Sequence, residues 1–410
     1  MRVLISGASI AGPVLAYWLT RHGFEVTVVE RAPTLRKTGG HAVDLFRPAM
    51  EISAKMGVLP RIEALATGTN RLTMYREGRP QPTEIDLTKI YAAASDRHVE
   101  IMRDDLSEIY YDACRDDAEY LFGDSITSID PDGEVTFERT PARRFDVIVG
   151  ADGLHSNVRR LVFGEEAGLT RFIGGYLGVV SAPKALVDDA EMVGHVGVGR
   201  VAAIYTAEHL DDARAVFLFR SKEELAYEQR DSLRQKEILR EAFTGMHPQV
   251  ERWLEEIGRT PAFYFDAISQ LRLDIWSRRR VTLVGDAGYC PGPAVGGSTS
   301  LAVLGAYVLA GELALADGDH LRAFAAYELQ MRGPVHLSRT FARGAAKSII
   351  PGSRAGVWAL TRGAQLVSRM PGSLSRGLAK LNTKGVRLYD SMPVPDYGED
   401  RREGNERPWN

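Results

Sequence analysis

Cysteine is nearly missing: Cys114 and Cys290 are the whole supply in 410 residues. That rules out a disulfide framework and suits a reducing cytoplasm. Neither sign of charge dominates, since 51 Lys and Arg face 54 Asp and Glu for a formal net charge of −3, which argues against a polyanion-binding protein. No stretch reaches the ~18 to 20 uninterrupted apolar residues that span a bilayer. The apolar opening from Val3 to Leu19 is broken by Ser6, Gly7, Ser9, Gly12 and Pro13. It then meets Thr20-Arg21-His22-Gly23 with no small-residue cleavage pattern, so it does not read as a secretory signal. Repeats, low-complexity tracts, metal-ligand spacings and a Ser/His/Asp constellation are also absent. The expectation is a soluble cytoplasmic protein with no bound metal, no nucleic acid or membrane partner and no obligatory protein partner. Glycine, at 40 residues, is the one excess. The remaining composition, 44% hydrophobic and 26% charged, is ordinary for a folded chain. At roughly 150 residues per domain the length allows two or three domains, or one large α/β body with an inserted sheet.

The glycines begin to matter at once. Arg2 to Ser6 is a short β-branched run, and Ile10 to Arg21 places Val14, Leu15, Trp18 and Leu19 at helical spacing. Gly23 ends that helix, and Phe24 to Val29 reads as a second strand with Glu30 at its tip. Between strand and helix lies Gly7-Ala8-Ser9-Ile10-Ala11-Gly12, a dinucleotide fingerprint with Ser as its middle residue. Gly7 permits the tight turn, the small Ser9 lets backbone approach a pyrophosphate, and Gly12 lets helix and strand pack closely. An acid at position 30, well past the last glycine, suits ribose hydroxyls and repels a 2′-phosphate, favouring FAD or NAD over NADP at this site. The alternative is a βα turn that merely needs small residues.

Two later segments favour a flavin. Phe145 to Gly150 reads as a buried strand ending in Ala151-Asp152-Gly153, with Ser156 placed to cap the helix that follows. Asp152 either caps that turn or reaches the cofactor, and both readings stand. Arg280 to Val284 reads as another such strand, ending in Gly285-Asp286-Ala287-Gly288. After Pro291-Gly292-Pro293 and Gly296-Gly297-Ser298 comes a helix to Leu315 that is apolar nearly all round. Asp286 can accept from a ribityl or ribose hydroxyl. The free N–H groups at the helix start, around Pro293, Gly296, Gly297 and Ser298, can stabilise negative charge on a reduced isoalloxazine.

The order Gly7-Ala8-Ser9-Ile10-Ala11-Gly12, Glu30-Arg31, Arg103, Ala151-Asp152-Gly153 and Gly285-Asp286-Ala287 resembles the class A, single-component FAD-dependent aromatic hydroxylases. That group includes para-hydroxybenzoate hydroxylase-like enzymes and the tetracycline-inactivating and polyketide-tailoring monooxygenases. The resemblance covers residues 1 to about 340 and departs at three places: a family His is replaced in Gly288-Tyr289, the family Gly-Gln-Gly reads Gly296-Gly297-Ser298, and the family Asp-Ala inside the helix reads Gly305-Ala306. It implies an α/β fold: a Rossmann-like FAD-binding domain with an inserted antiparallel sheet that binds substrate, and C-terminal helices. The FAD-binding domain is expected over 1–70, 98–165 and 277–345, the sheet over 71–97 and 166–276, a helical segment over 346–390 and a loosely packed polar tail over 391–410. Cofactor contacts are expected from Gly7, Ser9, Ala11, Gly12, Glu30, Arg31, Asp44, Arg103, Asp152, Asp286, Pro293, Gly296, Gly297 and Ser298. Arg36 is expected to meet the nicotinamide cofactor or to be a solvated loop residue.

The implied activity is that of an FAD-dependent monooxygenase in which transient NADPH or NADH and O2 give a flavin C4a-hydroperoxide. That species hydroxylates or epoxidises a bulky aromatic or polyketide-like molecule, as in secondary metabolism and antibiotic biosynthesis. Baeyer–Villiger insertion starts from the same species, and nothing in these residues chooses among the three. The competing reading is an FAD-dependent reductase or dehydrogenase without oxygen transfer. The chemistry is the cofactor's, so no catalytic side chain is assigned. Tyr176, Tyr205, Phe217 and Phe219, in strands rich in Val, Ile, Tyr and Phe, either line an apolar pocket or are ordinary core aromatics.

Overall fold

A computed structural model describes residues 1–35, 40–94, 97–164, 168–228, 231–260, 262–293, 297–370 and 392–398. The strand Arg2–Ser6 is buried from Val3 onward and lies in the middle of a six-stranded sheet. Its neighbours Glu25–Glu30 and Val147–Gly150 run parallel to it, Glu119–Phe122 and Val281–Leu283 extend the parallel set on either side, and only the edge strand Ser277–Arg278 is antiparallel. Parallel strands buried on both faces read as near-continuous apolar runs, which is why these strands stand out in the sequence.

The helix Ala11–Arg21 packs on this sheet, and the helix Ser298–Leu315 packs in turn on Ala11–Arg21. Ala11–Arg21 follows the first glycine turn, and Ser298–Leu315 packs against it with Leu301, Val303, Leu304, Leu309 and Leu313 buried. Full burial of such side chains contributes ~1.5–3 kcal/mol each. Among the described residues Ser298–Leu315 is the one helix long and apolar enough to cross a membrane; 78% of it is buried inside the fold, as a core helix requires.

The second layer is a seven-stranded sheet in the order Phe263–Leu271, Thr170–Pro183, Asp212–Arg220, Arg200–Tyr205, Glu191–Gly197, Arg71–Arg76, Thr83–Asp86. It is antiparallel except where Glu191–Gly197 pairs parallel with Arg71–Arg76. The exception arises where a hairpin from early in the chain is laid against strands from much later. The run Met192 to Tyr205 is two strands: Gly199, at φ +76°, turns Glu191–Gly197 back onto Arg200–Tyr205. Helices Ser232–Phe243 and Pro248–Glu255 pack on one face of this sheet. The other face looks toward the parallel sheet, and the two-stranded ribbon of Ala42–Phe46 and His98–Met102 lies between the two bodies.

Two expectations are corrected. The helical segment expected over 346–390 is entered by a helix that already starts at His320 and runs through Pro334 to Ile349, and it continues as Arg354–Arg369; residues 371–391 lie outside the described residues. The polar tail is not loose over 392–398: Met392 is buried, Tyr307 donates to the Pro395 carbonyl at 3.0 Å, and Tyr397 donates to Glu312 at 2.8 Å. The Tyr397 ring lies over Gly311, where any side chain would collide with it.

Candidate active site

The first glycine turn is built as a cradle. Gly7 sits at φ +109°, a conformation natural only to glycine, and a methyl there would meet the Ala151 carbonyl. A methyl on Gly12 would overlap the Gly7 carbonyl, so helix Ala11–Arg21 can start this close to the strand only with glycine there. That helix has no acidic residue in its first turn and no side-chain cap, which leaves its positive end available to an anion. Glu30 folds back over the loop and accepts from the backbone N–H of Ala8 at 3.0 Å and of Ala32 at 2.8 Å. Arg31, beside it, is exposed.

Arg103 enters from the ribbon. It follows the strand His98–Met102, its guanidinium donates to Ser9 Oγ at 3.2 Å, and its backbone N–H donates to the His41 carbonyl. The same segment is held on its other sides: Gly40 N–H donates to Asp104, Arg214 donates to the Gly40 carbonyl at 2.9 Å, and Ala42 N–H donates to the Tyr205 hydroxyl at 2.7 Å. Residues 40–42 are thus clamped between both bodies. Burial, with Arg103 second, lowers the His41 pKa to about 4, so this imidazole is neutral at physiological pH.

The other two glycine-acid motifs converge on the same cleft. Gly150 packs so tightly that a side chain would meet Leu283 and Val158. Asp152 is occupied by its own chain: it accepts from Ser156 Oγ at 2.5 Å, Val158 N–H at 3.1 Å and Ser6 Oγ at 3.5 Å, the turn-capping arrangement. Ser156 in turn caps the helix Asn157–Phe163. Asp286 opens a short helix after Gly285 at φ +65°; burial raises its pKa while the positive charge of Arg103 opposes the rise. Gly297 is left-handed at φ 58° and starts Ser298–Leu315 without a side-chain cap, and Ser300 pins that start to the ribbon by accepting from Phe46 N–H at 2.9 Å. Pro293 ends the described part of the loop; Gly296 and Arg36 lie outside the described residues.

Sequence reasoning missed several residues. Arg159, almost fully buried, donates to the Ala287 and Leu154 carbonyls and ties the two glycine-acid loops together. Tyr264 and Asp266, bonded to each other at 3.2 Å, face the cleft from the sheet edge, and His155 reaches Asp266 at 3.3 Å. Strand alternation carries the signal. In Asp212–Arg220, Phe217 and Phe219 point into the core under the outer helices with Tyr176 and Phe243, so the pocket assignment of Tyr176, Phe217 and Phe219 is corrected to core packing. Arg214, Val216 and Leu218 take the opposite face. Tyr205 pairs with Arg214 across the strands and stays on the cleft side.

Asp44 lies on the ribbon with its carboxylate 2.6 Å from His98 Nε2 and its side chain half exposed. Arg47, which opens the helix Arg47–Lys55 directly after the ribbon, is engaged with Glu51 at 3.0 Å.

The residues present fit a flavin dinucleotide: a glycine cradle that a Cβ would fill, an uncapped helix end beside it, a guanidinium over the cradle and a second uncapped helix start across the cleft. A family model described as an FAD binding domain matches residues 1–320. The chain is 41% identical over 335 residues to the uncharacterized protein Rv1260 of Mycobacterium tuberculosis, covering 81% of this chain and 90% of that one. It is 33% identical over 349 residues to a flavin-dependent monooxygenase of Legionella longbeachae, covering 83% and 87%. Among solved structures it is similar to the tetracycline destructase Tet(55), with a TM-score of 0.81 and 32% identity over 96% of this chain and 98% of that one. The motif order, the fold and these relatives agree: the chain belongs to the FAD binding domain family, within its class A flavin-dependent monooxygenase group.

Proposed function

We propose that the protein uses NAD(P)H and O2 to insert one oxygen atom into a bulky, electron-rich aromatic or polyketide-like small molecule. The observation that carries this reading is the cleft itself, in which a single nucleotide cradle faces the polar inner side of a seven-stranded sheet. When bound, FAD supplies hydride acceptance and O2 activation, chemistry that no side chain here provides. The protein's part is placement. Gly7, Ser9 and Gly12 admit the pyrophosphate to the helix end, and Arg103 adds a fixed positive charge beside Ser9. The open N–H groups from Gly297 onward offer donors for negative charge on the ring. The sheet's inner side closes the cleft against water, with Tyr205 and Arg214 holding residues 40–42 beside the cradle and Tyr264 bonded to Asp266 at the sheet edge. One nucleotide cradle and no second fingerprint suit a nicotinamide cofactor that visits the cleft and leaves. The names of the Legionella longbeachae monooxygenase and the tetracycline destructases support the oxygen-transfer reading and a polycyclic substrate.

The test is the visible spectrum of the purified protein, followed by oxygen-electrode assays with NADH or NADPH and a panel of polycyclic phenols. The expected result is a two-band flavin spectrum and O2 uptake that rises on adding substrate. A flavin-loaded protein that oxidises NAD(P)H with a substrate but consumes no O2 would establish the reductase reading instead.

A further inference from the structure

The near-neutral balance of the whole chain, from which no membrane partner is expected, hides a sharp local asymmetry. From Leu329 to Tyr389 the sequence has eleven Lys and Arg and no Asp or Glu, while the rest of the chain sets 40 Lys and Arg against all 54 acids. Charge divided this unevenly along a chain creates a positive field on one part of its surface. Arg376, Lys380, Lys384 and Arg387 lie outside the described residues. Among the described ones only Arg332 is in an ion pair, with Glu328 at 3.6 Å, and Arg343, Lys347, Arg354, Arg362 and Arg369 are exposed. The helix Arg354–Arg369 shows how this surface is built. Its inner face packs on the strands Thr83–Asp86 and Glu191–Gly197 with Val357, Thr361 and Ser368 buried. Ser368 fixes it there, its hydroxyl accepting from Asp86 N–H at 2.8 Å and its carbonyl from the Lys89 ammonium at 2.6 Å. Trp358, Arg362, Leu366 and Arg369, at helical spacing, share the opposite side within an arc of about 80°. Trp358 and Leu366 are each 58% exposed, so two large apolar side chains stand in water on either side of two guanidinium groups.

We propose that the outer face of Arg354–Arg369 docks the protein on an anionic lipid bilayer, with Arg362 and Arg369 on headgroup phosphates and Trp358 and Leu366 seated at the headgroup boundary. The pairing of residue types carries the choice of partner. Guanidinium groups match phosphate with a fixed fork of donors, and an indole or aliphatic side chain gains by leaving water for the edge of the acyl region. Arg354 at the start of the same helix, and Arg343 and Lys347 one turn apart on the helix before it, add to the field that draws the face to an anionic surface. A second copy of the chain is a poor occupant, because a two-fold axis would set this face against itself and bring like charges together. Duplex nucleic acid answers the charge but offers Leu366 no apolar surroundings. The contact is peripheral, since the one described helix long and apolar enough to cross a membrane is spent in the core. This inference goes beyond the monooxygenase reading and does not depend on it.

The test floats the full chain, loaded with flavin and without substrate, on vesicles of phosphatidylcholine alone or of phosphatidylcholine and phosphatidylglycerol in a two-to-one mixture. Binding is expected to the mixed vesicles and not to the neutral ones, and it should weaken as salt is raised. Arg362→Glu with Arg369→Glu should lower vesicle affinity about tenfold or more. Arg115→Glu with Arg259→Glu, an equal change of net charge at exposed residues elsewhere, should leave it unchanged. Trp358→Ser with Leu366→Ser should lower it several-fold on the same mixed vesicles. All the substituted side chains are exposed, and flavin retention and the thermal midpoint check that each variant is folded. Equal binding to both kinds of vesicle, no binding to either, or wild-type affinity in the arginine pair or in the Trp358 and Leu366 pair overturns the proposal. So does binding to a duplex DNA fragment as tight as to the mixed vesicles at the same salt, which would mark a surface for any polyanion. Because no turnover is read, failure here leaves the monooxygenase reading standing.

Discussion

At the scale of single residues, the glycines were the most legible feature because each answers to a hard steric limit. Gly7 and Gly12 are read from the sequence as turn and close-approach positions, and the structure gives the contacts that enforce both. Gly12→Val therefore should abolish flavin retention, since the side chain would occupy the place of the Gly7 carbonyl; gel-filtered protein with an undiminished flavin spectrum would contradict this. Charged residues were less legible. Asp152 sits in a recognisable motif that leaves turn capping and cofactor contact both open, and its bonds with Ser156, Val158 and Ser6 are those of the capping alternative. Tyr205 illustrates the limit from the other side: alternation tells which residues share its face, but not that this face is the one turned to the cleft. Its hydroxyl holds the Ala42 N–H, so Tyr205→Phe should cost about 1 kcal/mol. Chemical denaturation measures that loss, and its absence would show that the clamp on residues 40–42 does not depend on this bond.

Elements were read best where pattern and context agreed. Arg2–Ser6 and His98–Met102 have in the structure the bounds that their β-branched and apolar residues suggest, because each ends at a residue with a different task, Gly7 and Arg103. Between Met192 and Tyr205 the glycines suit strand and turn positions in a sheet, and the pairing of Glu191–Gly197 with Arg200–Tyr205 makes the run a hairpin. The tail defeats composition altogether. Its polar, proline-bearing sequence suggests loose packing, yet Tyr397 seats on Gly311 and bonds to Glu312 because the buried helix Ser298–Leu315 offers a glycine-sized recess and a carboxylate beside it. Gly311→Ala should therefore displace the segment 392–398 and lower stability by ~1–3 kcal/mol, as overpacking of a fitted contact does. Thermal unfolding would register the change; an unaltered midpoint would mean that the tail contributes nothing to the fold.

For the molecule as a whole, the α/β class and the family were legible because three separated glycine motifs must meet at the ends of parallel strands to hold one dinucleotide. The interior also dictates a response to acid. His41 and His195 are held at about 4, both chiefly by burial, with His195 further depressed by the neighbouring His247. Both are neutral when folded and bind protons more readily when unfolded, so stability falls as pH drops below the ordinary histidine value of about 6.5 and continues to fall until about 4. Denaturation midpoints should be lower at pH 5 than at pH 7, and His195→Asn should narrow the difference; equal midpoints at the two values would contradict the burial argument.

The central claim is oxygen transfer, and it is tested most directly by supplying the flavin-loaded protein with NAD(P)H, a polycyclic phenol and isotopically heavy O2, then weighing the product. The account predicts one heavy oxygen atom in the product, with none arriving from heavy water. A product formed without heavy oxygen would contradict it and leave a flavin reductase or dehydrogenase in its place.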